Sequence, residues 1–339
     1  MTTELRKRKR QTAYRVMLLV ILVVGTCYIL IRKNRLHYYE NSGRTFGTEY
    51  NVKYKHHQDL HDSIVKVLAE VDRSLSMFND SSIISRINRN EHVVPDADFI
   101  QVFTLARKVS EATDGAFDIT VAPLVNLWGF GFEPSDTVSA QRVDSIRSFV
   151  GYRKVALQNG QVVKQDGRIM LDCSAIAKGY GVDRVARLLD RQGIHDYMVE
   201  IGGEIVVKGY NDVNERWKIG IEKPADDTVS AKGLQVILPF TNCAIATSGN
   251  YRNYYYKGGR KYAHTIDPHT GYPVQHSLLS ATVVAPTCAE ADAYATAFMV
   301  MGLERARQVL QHNSRLKGYL IYADHSGHYK VWTNIRDIR

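Results

Sequence analysis

Cysteine is scarce in this chain of 339 residues: Cys27, Cys173, Cys243 and Cys288 are its four, and no two of them stand at CxxC spacing. That excludes a thiolate metal site or a disulfide framework as the organising feature. Cys243 and Cys288 read as small buried hydrophobes. Neither a GxGxxG nor a Walker loop occurs, so any nucleotide must be held without a glycine-rich phosphate cradle. No repeat of fixed period and no low-complexity tract appears, which excludes a solenoid. Long-range positive charge is missing from most of the chain as well. The formal charge is +9, but residues 1–35 hold nine Lys or Arg against Glu4, leaving +1 for residues 36–339. A near-neutral body without a basic and aromatic stripe does not draw in a polyanion, so nucleic acid is excluded as a partner.

The basic residues present are concentrated around Val16–Ile31, an uninterrupted uncharged run (VMLLVILVVGTCYILI), with Arg6 to Arg10 and Arg15 before it and Arg32, Lys33 and Arg35 after. The run is short beside the ~20 residues of an average spanning helix, but flanking Tyr and Arg side chains reach the interface. It is predicted to be a single-pass transmembrane anchor. The denser positive flank keeps residues 1–15 in the cytoplasm and sends the body to the outer, periplasmic side of a bacterial inner membrane. A cleaved signal peptide is the competing reading, but no small-x-small site follows the run, and Thr26 stands before Cys27 where a lipoprotein signal has a smaller residue.

The expected organisation is a basic segment at 1–15, an anchor at 16–31, a linker at 32–42 and one domain at 43–339. Apolar residues at Ile64, Val67, Leu68 and Val71 predict an amphipathic helix over His61–Leu75, and further helices are predicted over Asp98–Thr113, Gly179–Arg191 and Ala289–Val300. Thr48–Tyr54, Arg168–Asp172, Tyr197–Val207, Trp217–Ile221, Leu234–Phe240 and Ala281–Ala285 read as strands. Strands in runs with helices irregularly between them predict an α+β fold, a two-lobed domain with mixed sheets.

Four elements carry chemistry. Asp292 and Thr296 stand four apart on a predicted helix, which puts a carboxylate and a hydroxyl on one face as oxygen donors for a hard cation. By itself that pair also suits a helix cap and a packing residue. Leu171 to Asp183 (LDCSAIAKGYGVD) passes from a strand through a turn into a helix start, where free amides and Lys178 suit a phosphate and Asp172 can accept from a ring or ribose. The plainer alternative is a capped turn with a solvated Lys178 and a surface Asp183. Thr113–Leu124 followed by Leu127–Gly131 mixes glycines with Phe117, Trp128 and Phe130, a surface for a planar ring with Asp118 at its polar edge, or ordinary core. Ala246–Arg252 and His264–Pro273 place a histidine beside a tight Asp-Pro turn, where a neutral imidazole could take a proton from an attacking hydroxyl.

Taken together and in this order, these segments resemble the ApbE family of FAD:protein FMN transferases. So do Gly47–Tyr50, the stretch from Asp72 to Asn88 (DRSLSMFNDSSIISRIN) and Gly202-Gly203-Glu204. The resemblance covers nearly all of the body. It implies FAD as substrate in a cleft between two lobes and Mg2+ at the pyrophosphate, held by the Ala175 carbonyl, Asp292 and Thr296. It also implies flavin and tail contacts from Tyr50, Phe78, Ala116, Phe117, Asp118, Asp172, Lys178, His264 and Thr265. Two departures stand out: Phe78 replaces the tyrosine of many members, and Cys173-Ser174 replaces a common Leu-Gly.

The reaction so implied has Mg2+ and Lys178 withdrawing charge from the pyrophosphate while an acceptor threonine or serine hydroxyl attacks the FMN-side phosphorus and AMP leaves. His264 is expected as the base, with Asp118 as its competitor. The acceptor would be a flavoprotein subunit of a membrane redox complex of the sodium-pumping quinone reductase or ferredoxin-linked kind. With water in place of the hydroxyl, the same site would be an FAD pyrophosphatase giving FMN and AMP. A non-catalytic flavin binder would release no AMP.

Overall fold

The structure, a computed structural model, describes residues 2–33, 36–131, 138–222, 234–250, 254–257 and 260–335. The chain opens with α1 (Thr2–Lys33), followed by the hairpin β1 (His37–Thr45) and β2 (Thr48–His56). Phe46 and Gly47 both take positive φ (49° and 73°) at the hairpin's two-residue turn, the twist that suits antiparallel neighbours. Because β1 begins at His37, part of the stretch expected as a linker is sheet. The helices α2 (His61–Leu75), α3 (Ile83–Asn88), α4 (Ala97–Ala112), α5 (Ala122–Leu127) and α6 (Ala140–Arg147) come next, then the hairpin β3 (Val155–Gln158) and β4 (Gln161–Lys164). The second half runs α7 (Ala177–Arg191), β5 (Tyr197–Ile201), β6 (Glu204–Lys208), β7 (Trp217–Glu222), β8 (Leu234–Phe240), β9 (Cys243–Gly249), β10 (Tyr254–Lys257), β11 (Arg260–Ala263), β12 (Leu278–Ala285), α8 (Cys288–His312), β13 (Lys317–Ala323) and β14 (Tyr329–Thr333).

Eight strands form one sheet in the order β1-β2-β5-β6-β9-β12-β13-β14. The α+β expectation holds, but the mixed sheets do not: every pairing among the described strands is antiparallel. Tight hairpins such as β1–β2, β5–β6 and β13–β14 fix antiparallel neighbours, and the longer connections return to the sheet in the same sense. One face is covered by α2, α7 and α8. Ile64, Val67 and Leu68 of α2 pack with Val182, Val185 and Leu189 of α7 over Val52, Tyr54 and Val199 of the sheet. The β7–β8 hairpin lies on the other face, where Trp217 and Ile219 meet Val207 and Ile245. The second lobe is helical, and Phe99, Phe103 and Leu124 share a core with Ala291, Ala295 and Phe298 of α8.

Two strand expectations are corrected. Tyr197–Val207 is two strands, because Gly202 and Gly203 (φ 61° and 101°) reverse the chain and set Ile201 opposite Glu204. Arg168–Asp172 is not a strand. The Leu171 backbone pairs instead with the Asn88 side chain, which donates to its carbonyl at 2.9 Å and accepts from its amide at 2.7 Å, while the Asp172 amide donates to the Ile119 carbonyl. α8 outruns its predicted end: the chain kinks at Gly302 (φ 76°) and helix resumes to His312.

The predicted anchor lies within α1, whose Val16–Val24 side chains are exposed. Among the described residues no helix is long and apolar enough to cross a membrane. The side chains of Cys27 and of residues 29–31, which complete the predicted run, lie outside the described ones.

Candidate active site

A cleft of about 420 Å³ opens between the helical lobe and the sheet. Its walls bring together Phe78, Ala116, Phe117, Asp118, Asp172, Ala175, Lys178, His264, Thr265, Asp292 and Thr296, all singled out in the sequence, with Glu204, Thr247 and Ser248 of the sheet.

The acidic part is built where α7 and α8 cross. All the first amides of α8 are satisfied: Cys288 and Ala289 N–H donate to Asp183 of α7 at 2.8 and 2.9 Å, Glu290 N–H to the Thr287 side chain and Ala291 N–H to the Thr287 carbonyl. Asp183 is therefore no surface charge. Burial raises its pKa to about 6, only partly offset by those two amides and by Arg187. Fixing α8 in this way aims Asp292 back at α7, and the Gly179 amide donates to Asp292 Oδ2 at 3.1 Å. Gly179 is the third residue of α7, so its amide is one of the helix-start donors without an intrahelical partner, and Asp292 satisfies it. The Ala175 carbonyl precedes the Ile176 N-cap and so lies outside the α7 ladder, in the wall of the same cleft as Asp292. Four residues along α8, the Thr296 hydroxyl faces the same cleft and lies 3.2 Å from Ser248 Oγ.

Charge here is unbalanced toward the negative. Lys178 Nζ lies 2.6 Å from Glu204 Oε2, and both the Glu204 and Asp292 carboxylates act on it. Burial by itself would lower the Lys178 pKa, yet the two carboxylates outweigh it and the ammonium is held in its charged form. Burial and then the Asp292 charge push the Glu204 pKa up against the pull of the Lys178 ammonium, and complete burial raises that of Asp292. Two buried carboxylates thus share one cation. Among the described residues no group of three or more His, Cys, Asp or Glu gathers as a metal cage. The donor set is sparse and all oxygen: one carboxylate, one hydroxyl and one carbonyl outside its helix ladder. That set and the surplus negative charge fit Mg2+, which keeps most of its shell for water and phosphate.

The other part of the cleft is aromatic. Phe117 is buried, Phe130 meets the His264 ring edge-on at 6.5 Å between centroids, and Phe78 at the rim is 80% exposed. Trp128 is core instead: its Nε1–H donates to the Gly271 carbonyl at 2.8 Å and so clamps the aromatic segment to the Asp-Pro turn. Asp118 lines the cleft, but its carboxylate is already used by the chain. Oδ1 accepts from the Thr120 amide and hydroxyl, both at 2.7 Å, and Oδ2 from the Tyr152 amide at 2.7 Å. Burial raises its pKa against those three bonds. Asp172 accepts from the Ser174 amide at 2.7 Å and shapes the turn that presents Ala175. Thr265 donates to the Asn250 side chain at 2.6 Å.

Tyr50 does not join the cleft. Its ring is 4% exposed within the core beneath α7, packed so closely on the neighbouring strand that a Cβ at Gly43 would sit 2.8 Å from it. Alternation along β2 puts Tyr50, Val52 and Tyr54 on one face, and α2 and α7 cover that face. Conversely, Glu204 and Ser248 carried no assigned role in the sequence. The signal for Glu204 was its place directly after a Gly-Gly pair, where a tight turn aims the next strand's first side chain.

Residues 46–320 match the ApbE family. The chain is 39% identical over 303 residues to the FAD:protein FMN transferase of Haemophilus influenzae, covering 84% of this chain and 87% of that one. It is 41% identical over 283 residues to the Vibrio cholerae protein of the same name, with 80% and 84% covered. The solved flavin transferase ApbE from Vibrio cholerae superposes with a TM-score of 0.79 at 37% identity, covering 88% of this chain and 97% of that chain. The Pseudomonas stutzeri flavinyl transferase ApbE in its apo form gives 0.79 at 29% identity, with 88% and 95% covered. With its sequence matched over most of its length and its fold shared with these enzymes, the chain is a transferase and belongs to the ApbE family.

Proposed function

We propose that this protein transfers FMN from FAD to a threonine or serine hydroxyl of an acceptor flavoprotein, releasing AMP, with Mg2+ as cofactor. The observation that carries this reading is the meeting, in one cleft, of the Asp292–Thr296 oxygen pair and Lys178 with the aromatic side chains of Phe78, Phe117 and Phe130. Asp292, Thr296 and the Ala175 carbonyl would hold the cation, which when bound withdraws charge from a pyrophosphate. Lys178 places a second positive charge at the same phosphates. Phe117, Phe130 and Phe78 offer faces and edges to the ring system, while Asp172 accepts from its polar tail. His264, set against Phe130 at the cleft wall, takes the proton from the acceptor hydroxyl at one imidazole nitrogen. Asp118 holds its loop in shape, since its oxygens are occupied by three donors of the chain.

Two further parts of the proposal rest on the N-terminus. The basic residues around α1 and its exposed Val16–Val24 stretch support attachment to the bacterial inner membrane with the catalytic domain on the outer side. An acceptor subunit of a membrane redox complex, of the sodium-pumping quinone reductase or ferredoxin-linked kind, would be within reach there. Carbonate extraction of cell membranes tests the attachment: recovery of the protein in the soluble wash would refute it.

The enzymatic test is incubation with FAD and Mg2+, with and without a threonine-bearing acceptor, following AMP and covalent flavin fluorescence on a denaturing gel. AMP together with a fluorescent acceptor band is the expected result. AMP with free FMN alone would make the protein a pyrophosphatase, and absence of AMP would make it a binder.

A further inference from the structure

Glu204 is a deeply buried charged group of the cleft, with a side chain only 3% exposed. It stands on the first residue of β6, aimed by the positive-φ Gly202-Gly203 turn at the Lys178 side chain arriving from the first turn of α7. The two charged atoms are 2.6 Å apart, yet Glu204 Oε2 lacks the angular geometry of a regular hydrogen bond. The contact is one of charge, so the ammonium's three N–H donors are not all committed to it. Asp292, the second carboxylate acting on Lys178, belongs to the oxygen set that fits the cation. An ammonium released from Glu204 has Asp292 as the other carboxylate acting on it, and pairing there would occupy the carboxylate that the cation requires.

We infer that Glu204 is a positioning residue: it tethers the Lys178 ammonium away from Asp292, leaving that carboxylate open to the cation and the lysine turned toward the substrate phosphates. The inference rests on the proposed cation and FAD sites. A buried carboxylate is costly to keep beside another one, and the tether gives it a reason to be there.

The test is a double-mutant cycle with Glu204→Gln and Lys178→Met on the full chain, read first as Mn2+ affinity by electron paramagnetic resonance and second as FAD affinity by flavin fluorescence. Glu204→Gln alone is expected to weaken Mn2+ binding about tenfold, because the released lysine competes for Asp292. In the Lys178→Met background, the same substitution should change it by less than about twofold. Glu204→Asp, which keeps the charge, should recover part of the affinity. Equal losses in both backgrounds would overturn the inference, since a simple loss of negative charge acts whether or not the lysine is present. Unchanged Mn2+ affinity in Glu204→Gln would overturn it as well. Failure of the parent chain to bind either Mn2+ or FAD would instead overturn the functional reading beneath it, and the two failures are told apart by the parent alone.

Discussion

The Gly179 amide nitrogen lies 3.1 Å from Asp292 Oδ2, a bond that joins the start of α7 to α8 and makes a glycine's backbone part of the acidic site. The two helices cross so closely there that a Cβ on Gly179 would sit 2.4 Å from the Cys288 carbonyl oxygen and 2.9 Å from Ala289 Cα. Both obstacles are backbone, which cannot rotate aside. Gly179→Ala is therefore expected to push the helices apart, costing ~1–3 kcal/mol as overpacking does. Thermal melts should show the lower stability, and AMP release should fall by more than the unfolded fraction explains. A variant of unchanged stability and rate would show that the helix crossing has slack.

Asp292→Asn separates stability from function. Complete burial raises the pKa of this carboxylate, so the charged form strains the cation-free protein. Asparagine keeps an acceptor for the Gly179 amide without the charge. In EDTA the variant is expected to melt at or above the temperature of the parent, while Mn2+ binding is lost and AMP release drops by about 100-fold or more. Thr296→Ala should show the same trend more weakly. A drop in melting temperature in EDTA would mean that the negative charge supports the fold.

Asp183 gives a pH dependence with a definite sign. Its folded pKa is about 6 against an ordinary 3.8, so between these values the folded chain binds more protons than the unfolded one. Its contribution to stability is present below about 3.8, is lost as pH rises toward about 6, and is flat above. The full swing corresponds to roughly 3 kcal/mol at ~1.4 per unit. Asp183→Asn removes the titration, so its melting curve against pH should be flatter than that of the parent over this window. It should also cost ~1 kcal/mol at low pH, where the parent carboxyl is neutral, because one amide can accept for only one of the two α8 N–H groups, and that cost should shrink or reverse near neutrality, where the variant avoids the buried charge. Parallel curves for the two proteins would mean that Asp183 does not titrate here.

His264→Ala and Asp118→Asn are expected to fail in different ways. Removing a general base typically costs 10²–10⁴ in rate. His264→Ala should show such a loss with FAD saturating and melting temperature little changed. Asp118→Asn disturbs the acceptor of two amides and a hydroxyl, so its main effect should be on stability. A histidine variant with full transfer activity would remove the assignment of His264 as base.

Local rules settled a great deal from the sequence alone. The 3.6-residue spacing of Ile64, Val67, Leu68 and Val71 gave α2 its boundaries, and all four are buried, the first three against α7 and the sheet and Val71 in the core of the helical lobe. Asp292 and Thr296, four apart, had to share a helix face whatever the helix packed on. Segments that seemed unrelated along the chain had to be read jointly to reveal the cleft, since each has an ordinary structural alternative. What the sequence could not settle was which surface each face would meet. Alternation places Tyr50 with Val52 and Tyr54, but only the packing of α2 and α7 on the sheet makes that face core rather than cleft. Asp183 becomes the cap of a helix that starts a hundred residues later, and Asn88 takes the place of a neighbouring strand for Leu171. Glu204 acquires its lysine because a two-glycine turn aims it across the sheet at α7. Helix and strand periods are set by bonds between near neighbours, whereas these pairings depend on long-range closure of the chain, which no local spacing encodes.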